Sequence, residues 1–135
     1  MSDLLIEPLE LAALLTAEDP EERPVLLDIR WSLSTTPEEN HAEYLAGHLP
    51  GAAFVPIKGG LAGEPLPDGR GGRHPMPRLA DAQEAFQAAG VTDARPVVVY
   101  DAANSLAASR AWWLLNYYGK DEVRVLDGGY AAWLE

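Results

Sequence analysis

Pro96-Val97-Val98-Val99-Tyr100-Asp101 runs directly into Ala102-Ala103-Asn104-Ser105-Leu106-Ala107-Ala108-Ser109-Arg110-Ala111-Trp112-Trp113. The first part is apolar and β-branched, and it stops at a carboxylate. Such a run suits a strand buried on both faces of a parallel sheet. From Ser105 onward Ala and Leu dominate, and Trp112, Trp113, Leu114 and Leu115 extend the apolar character. This part reads as a largely buried helix. Between the two lies a loop of small residues. Open α/β folds place chemistry at such a junction, because the loop amides and the helix dipole converge on one spot. Asp101 is therefore the first candidate functional residue.

Outward from this stretch, the same grammar repeats. Pro24-Val25-Leu26-Leu27-Asp28 is a second apolar run closed by a carboxylate, and Ala52-Ala53-Phe54-Val55 and Glu122-Val123-Arg124-Val125-Leu126 are further strands. Leu4-Leu5-Ile6 reads as a short edge strand. Helices are expected over Leu9 to Thr16, over Pro37 to Leu45, over Asp81 to Ala89 and from Tyr130 to Trp133. Thr36 caps the second of these, Pro37 fits its first turn with acids behind it, and Gly47 stops it. Gly90 closes the third. Alternating strands and helices predict an α/β domain with a central parallel sheet of about five strands and helices on both faces. Residues 59 to 77 form a long irregular excursion rich in Gly and Pro. No stretch resembles an interdomain linker, so the 135 residues are expected to form one domain.

Composition narrows the function. The net charge of -11 argues against nucleic acid or an anionic membrane surface as partner. With no cysteine, disulfides, thiolate metal sites and thiol nucleophiles are all excluded. His41, His48 and His74 show no ligand spacing, so no metal and no cofactor is expected. No run approaches a membrane span, and Met1-Ser2-Asp3-Leu4 lacks the start of a signal peptide, so a cytoplasmic protein is expected.

Several motifs have a plain structural reading. Gly47-His48-Leu49-Pro50-Gly51-Ala52 is a turn, and His48 in it reads as a hydrogen-bonded structural histidine. An Asp nucleophile of the haloacid-dehalogenase type would need a second Asp two residues on, where Arg30 and Ala103 stand instead. Neither strand end carries a dinucleotide or Walker glycine loop. Arg70-Gly71-Gly72-Arg73-His74 reads as a solvated loop in preference to an anion patch. Adjacent helical positions diverge by about 100°, so Trp112 and Trp113 cannot form one flat platform. One is expected in the core and the other on a second surface.

Taken together, several segments resemble the rhodanese family over nearly the whole chain. They are Leu27-Asp28-Ile29-Arg30-Trp31, Tyr44 to Ala52 with Gly-His-Leu-Pro-Gly-Ala, His74-Pro75-Met76-Pro77, Val97 to Asp101, Arg110 to Trp113, and Val125-Leu126-Asp127-Gly128-Gly129-Tyr130-Ala131-Ala132-Trp133. In particular the chain resembles the N-terminal half of tandem-domain thiosulfate or 3-mercaptopyruvate sulfurtransferases. The resemblance implies that residues Asp101, Ala102, Ala103, Asn104, Ser105, Leu106 and Ala107 form the counterpart of the active-site loop. In catalytic members a cysteine opens that loop and carries sulfur as a persulfide, held by loop amides. Asp101 stands at that position here, and a carboxylate cannot accept and return sulfur. The chain is therefore expected to be a non-catalytic domain. Its implied partner is a second rhodanese domain of the same polypeptide, beyond residue 135, whose pocket it helps to wall.

By the same resemblance Trp31, and more weakly Arg30, face that second domain, while Asp28, His48, Pro50, Gly51, Arg110, Asp127, Gly128 and Gly129 form the structural motif. If Trp31 is left uncovered, self-association of the fragment is expected. Trp31 packing locally is the other reading, and a stand-alone, non-enzymatic binding or regulatory module is the alternative function. For Asp101 the expectation is a built-in anion filling the amide cradle, against an outward, solvated carboxylate.

Overall fold

The computed structural model describes residues 4–31, 35–57, 60–63, 67–70, 75–102 and 105–134. Five strands form one sheet: β1 (Leu5–Ile6), β2 (Val25–Asp28), β3 (Ala53–Phe54), β4 (Val97–Tyr100) and β5 (Val123–Leu126), in the spatial order β1-β5-β4-β2-β3. Every pairing is parallel, so β4 lies at the centre with β2 and β5 beside it. All four residues of β4 and of β2 are buried. Such strands carry no polar face because helices cover both sides of the sheet.

The helices are α1 (Pro8–Leu15), α2 (Pro37–Ala46), α3 (Leu79–Ala88), α4 (Leu106–Tyr117) and α5 (Gly129–Leu134). Side chains alternate along each strand, so the sheet feeds two cores. On one face Val25, Leu27, Val97, Val99, Val123 and Val125 pack with Ala82 and Phe86 of α3 and with Ala108, Ala111 and Leu114 of α4. On the other, Leu26, Val98, Tyr100 and Leu126 pack with Leu11 of α1 and with Tyr130 and Trp133 of α5.

Local chemistry explains most boundaries. α2 begins with a full capping box, in which Thr36 accepts from the Glu39 amide and Glu39 accepts from the Thr36 amide. α1 starts at Pro8 and ends at Leu15, one residue earlier at each end than the expected Leu9 to Thr16, with Pro8 at its first turn. α3 starts at Leu79, two residues earlier than expected. The acidic connection from Glu18 to Arg23 holds a 3-10 turn at Pro20–Glu22, seeded by Asp19 accepting from the Glu21 amide.

Candidate functional site

Two carboxylates stand at the carboxyl ends of the neighbouring strands β2 and β4: Asp28 is the last residue of β2, and Asp101 follows β4. Both are buried, Asp28 at 0% exposure and Asp101 at 2%. Buried carboxylates must be satisfied by donors, and the two use different kinds.

Asp101 is met by backbone. Its carboxylate accepts from the Ser105 amide at 3.0 Å and from the Ala108 amide at 2.9 Å. Ser105 precedes the first turn of α4 and makes no side-chain cap of its own. Asp101 thus serves as the cap, reaching across the loop to amides that the helix cannot satisfy internally. Ser105 adopts a left-handed backbone, φ 72°, the one such non-glycine among the described residues. The loop is also held from behind. The Asp101 carbonyl accepts from the Tyr130 amide at 2.9 Å. This explains the paired glycines after β5. Gly129 has φ +63°, and a Cβ there would sit 2.7 Å from the Asp101 carbonyl oxygen; Gly128, at φ +82°, would meet the Ala132 side chain.

Asp28 is met by side chains. Arg30 donates from Nε at 2.9 Å, and the Tyr100 hydroxyl donates at 2.6 Å while accepting from the Leu49 amide at 3.0 Å. Burial raises the Asp28 pKa, opposed by the bonds from Arg30 and Tyr100. Burial and the bond to Asp28 raise the Tyr100 hydroxyl well above its ordinary value. Arg30 also donates to the carbonyls of Glu43 and Gly47, and its guanidinium lies 4.9 Å from the Tyr130 ring centroid. Arg30, the weaker of the two residues read as facing a second domain, is buried at 6% exposure within this domain, where it pairs with Asp28 and ties β2 to the end of α2. A charge so placed must be paired, and its donors are committed within the domain.

The Gly47 to Ala52 turn closes over this network. His48 places Nδ1 2.7 Å from the Tyr44 carbonyl and stacks on the Tyr44 ring at 4.0 Å between centroids. Pro50 and Gly51 form the exposed turn, with Gly51 at φ +77°. Asp127 is exposed, and its amide donates to the Ile6 carbonyl at 2.9 Å. Ala102 is exposed and Ala107 buried, whereas Ala103, Asn104, Arg73 and His74 lie outside the described residues. Arg70 is exposed and paired with Asp68.

Trp31 is half-buried, packs against the first core and lines a groove of about 540 Å3 together with Met76, Leu106, Arg110, Trp112 and Trp113. Trp112 packs on the core, and Trp113 is exposed and stacked on Tyr117. Arg110 donates to the carbonyls of Leu61 and Pro75 at 2.9 and 2.8 Å, pinning the irregular excursion to α4. Among the described residues, no group of His, Cys, Asp and Glu could hold a metal ion, and no helix is long and apolar enough to cross a membrane.

A family model described as the rhodanese-like domain matches residues 7–135. The chain belongs to the rhodanese family. A Mycobacterium tuberculosis protein provisionally named thiosulfate sulfurtransferase SseB is 44% identical to this rhodanese domain over 130 residues, covering 96% of the domain and 43% of that protein. The 3-mercaptopyruvate sulfurtransferase of Escherichia coli is 37% identical over 119 residues, covering 86% of the domain and 39% of that protein. Among solved structures, the 3-mercaptopyruvate sulfurtransferase of Leishmania major superposes with a TM-score of 0.80 at 27% identity, over 96% of the domain and 33% of that chain. The E. coli SseA crystal structure gives 0.77 at 33% identity, over 98% and 48%. The rhodanese domain thus spans less than half the length of these relatives.

Three contributors escape a reading of the sequence. Tyr100 looks like the end of an apolar strand; its hydroxyl, on an otherwise aliphatic buried run, is the signal that it has a polar partner. Ala108 lies beyond the expected 102 to 107 loop, yet its amide completes the Asp101 cradle. Met76 joins the groove through a fold of the chain that spacing does not reveal.

Proposed function

We propose that this chain is the non-catalytic rhodanese domain of a sulfurtransferase, the N-terminal one of a tandem pair. The full-length protein would move sulfane sulfur from thiosulfate or 3-mercaptopyruvate to a thiophilic acceptor such as cyanide. The observation that carries this reading is the Asp101 carboxylate seated on the Ser105 and Ala108 amides. Sulfur transfer needs a thiolate that attacks the sulfane sulfur, expels sulfite or pyruvate, and holds the sulfur as a persulfide for the acceptor to remove. This chain has no cysteine. The donors that would stabilise a sulfur anion are already occupied by a fixed oxygen anion.

The greater length of the relatives leaves room for a second rhodanese domain that would carry the thiol. Trp31, on the groove beside the loop, supports a role in walling that domain's pocket. The purified chain, incubated with either donor and then cyanide, is expected to form no thiocyanate above background. Turnover by a cysteine-free preparation would contradict the reading.

A further inference from the structure

We propose that Tyr130 is the positioning residue of the Asp101 loop, and that through it the turn from Gly47 to Ala52 and the loop form one coupled unit. A push on the turn displaces Asp101. This coupling goes beyond the reading above and holds whichever part of the protein carries the thiol.

The first observation is the reason for glycine at position 47. Gly47 has an extended backbone, φ -177°, which any residue adopts, so no turn geometry requires glycine there. The requirement is steric. A Cβ on Gly47 would sit 2.5 Å from the Tyr130 hydroxyl oxygen and 3.5 Å from the ring carbon that bears it. Gly47 opens the Gly-His-Leu-Pro-Gly-Ala turn, and Tyr130 follows the paired glycines after β5. Two motifs far apart in the sequence therefore meet at one contact.

The second observation is that the Tyr130 ring has little room to swing aside. The Arg30 guanidinium lies 4.9 Å from its centroid, and the Tyr100 ring stacks beside it at 6.3 Å. Both neighbours are themselves fixed. Arg30 pairs with Asp28 and donates to the carbonyls of Glu43 and Gly47. The Tyr100 hydroxyl is held between the Asp28 carboxylate and the Leu49 amide. A close-packed interior of this kind transmits a displacement more readily than it absorbs one.

The third observation is where the Tyr130 backbone leads. Its amide donates to the Asp101 carbonyl at 2.9 Å, and a Cβ on the preceding Gly129 would come within 2.7 Å of the same oxygen. The first turn of α5 thus rests directly on Asp101. The Asp101 carboxylate in turn holds the Ser105 and Ala108 amides at 3.0 and 2.9 Å. The contacts run without a break from Gly47 to the Tyr130 ring, the α5 backbone, Asp101 and the start of α4. Pro50 and Gly51 lie exposed at the outer end of the same turn, so the turn offers a surface from which the loop can be shifted.

The test is a double-mutant cycle in the 135-residue chain, with Gly47→Ala, Tyr130→Phe and the two combined, read by NMR-resolved amide hydrogen exchange. The Ala89 and Val91 amides, just past the end of α3 and packed on the other core, report global stability. Gly47→Ala is expected to speed exchange at Ser105 and Ala108 by on the order of tenfold beyond any change at those two amides. Tyr130→Phe removes the clashing oxygen and keeps the ring. Alone it should leave Ser105 and Ala108 within about twofold of wild type, and added to Gly47→Ala it should restore them to that level. A purely structural defect at Gly47 would move all these amides alike, and Tyr130→Phe would not rescue it; either result would overturn the coupling. Faster exchange at Gly47 and Leu49 with Ser105 and Ala108 unchanged would also overturn it, because the turn would then absorb the push. Should Gly47→Ala fail to fold, the double variant decides. Folding with wild-type protection of Ser105 and Ala108 supports the coupling, and failure of both variants overturns it.

Discussion

Removing the Asp101 side chain exposes what it contributes. An Asp101→Ala variant leaves the Ser105 and Ala108 amides without their acceptor at a helix start. The expected loss is about 1–2 kcal/mol in urea unfolding, the scale of a helix cap with a charged acceptor. The vacated cradle should then take up sulfate or phosphate, seen as an anion-dependent rise in Tm absent from the wild type. Unchanged stability together with no anion effect would show that the carboxylate merely sits nearby. Asp101→Cys is expected to give a reactive thiol with little turnover. Asp28 has a different task. Tyr100→Phe removes one hydroxyl that serves both the Asp28 carboxylate and the Leu49 amide. The cost is expected to be about 2–3 kcal/mol by chemical denaturation, because two buried groups lose a partner at once. A loss below about 0.5 kcal/mol would mean that the network repacks without it.

The elements were more legible in the sequence than the contacts between them. Val97–Tyr100 and Val25–Asp28 are unbroken apolar runs because helices cover both faces of the sheet, and burial on both faces leaves a mark that a single sequence displays. Thr36 and Glu39 announce the start of α2 for a similar reason: the capping box is local. The inward turn of Arg30 is not local. It depends on the Glu43 and Gly47 carbonyls and on the Tyr130 ring, which arrive from other parts of the chain. An Arg beside an exposed-looking Trp31 gives no sign of them. The glycines after β5 stand between these cases, since the sequence marks them but only the structure supplies the reason. Gly129→Ala must place a Cβ 2.7 Å from the Asp101 carbonyl while holding φ +63°. The expected cost is at least about 2 kcal/mol, strain plus clash, with faster hydrogen exchange at the Tyr130 and Ala108 amides. A neutral substitution would disconnect the turn from the loop.

At the scale of the whole molecule, the parts converge on one edge of the sheet. The filled cradle, the Asp28–Arg30–Tyr100 network and the Trp31 groove all gather at the carboxyl ends of β2 and β4, where α/β domains place ligands. At its centre stands the Asp101 carboxylate, in a chain that has no cysteine. Beside it, Leu106, Trp113 and Tyr117 lie exposed along α4. On the proposed reading, the chemistry would fall on a thiol outside these 135 residues and this domain would share in walling it. The most direct check is to load the full-length polypeptide with thiosulfate or 3-mercaptopyruvate and locate the bound sulfur by peptide mass spectrometry. Sulfur on a cysteine outside residues 1–135, with every peptide of this domain unmodified, is the expected result. Sulfur held within residues 1–135, or a full-length protein that takes up none, would contradict it.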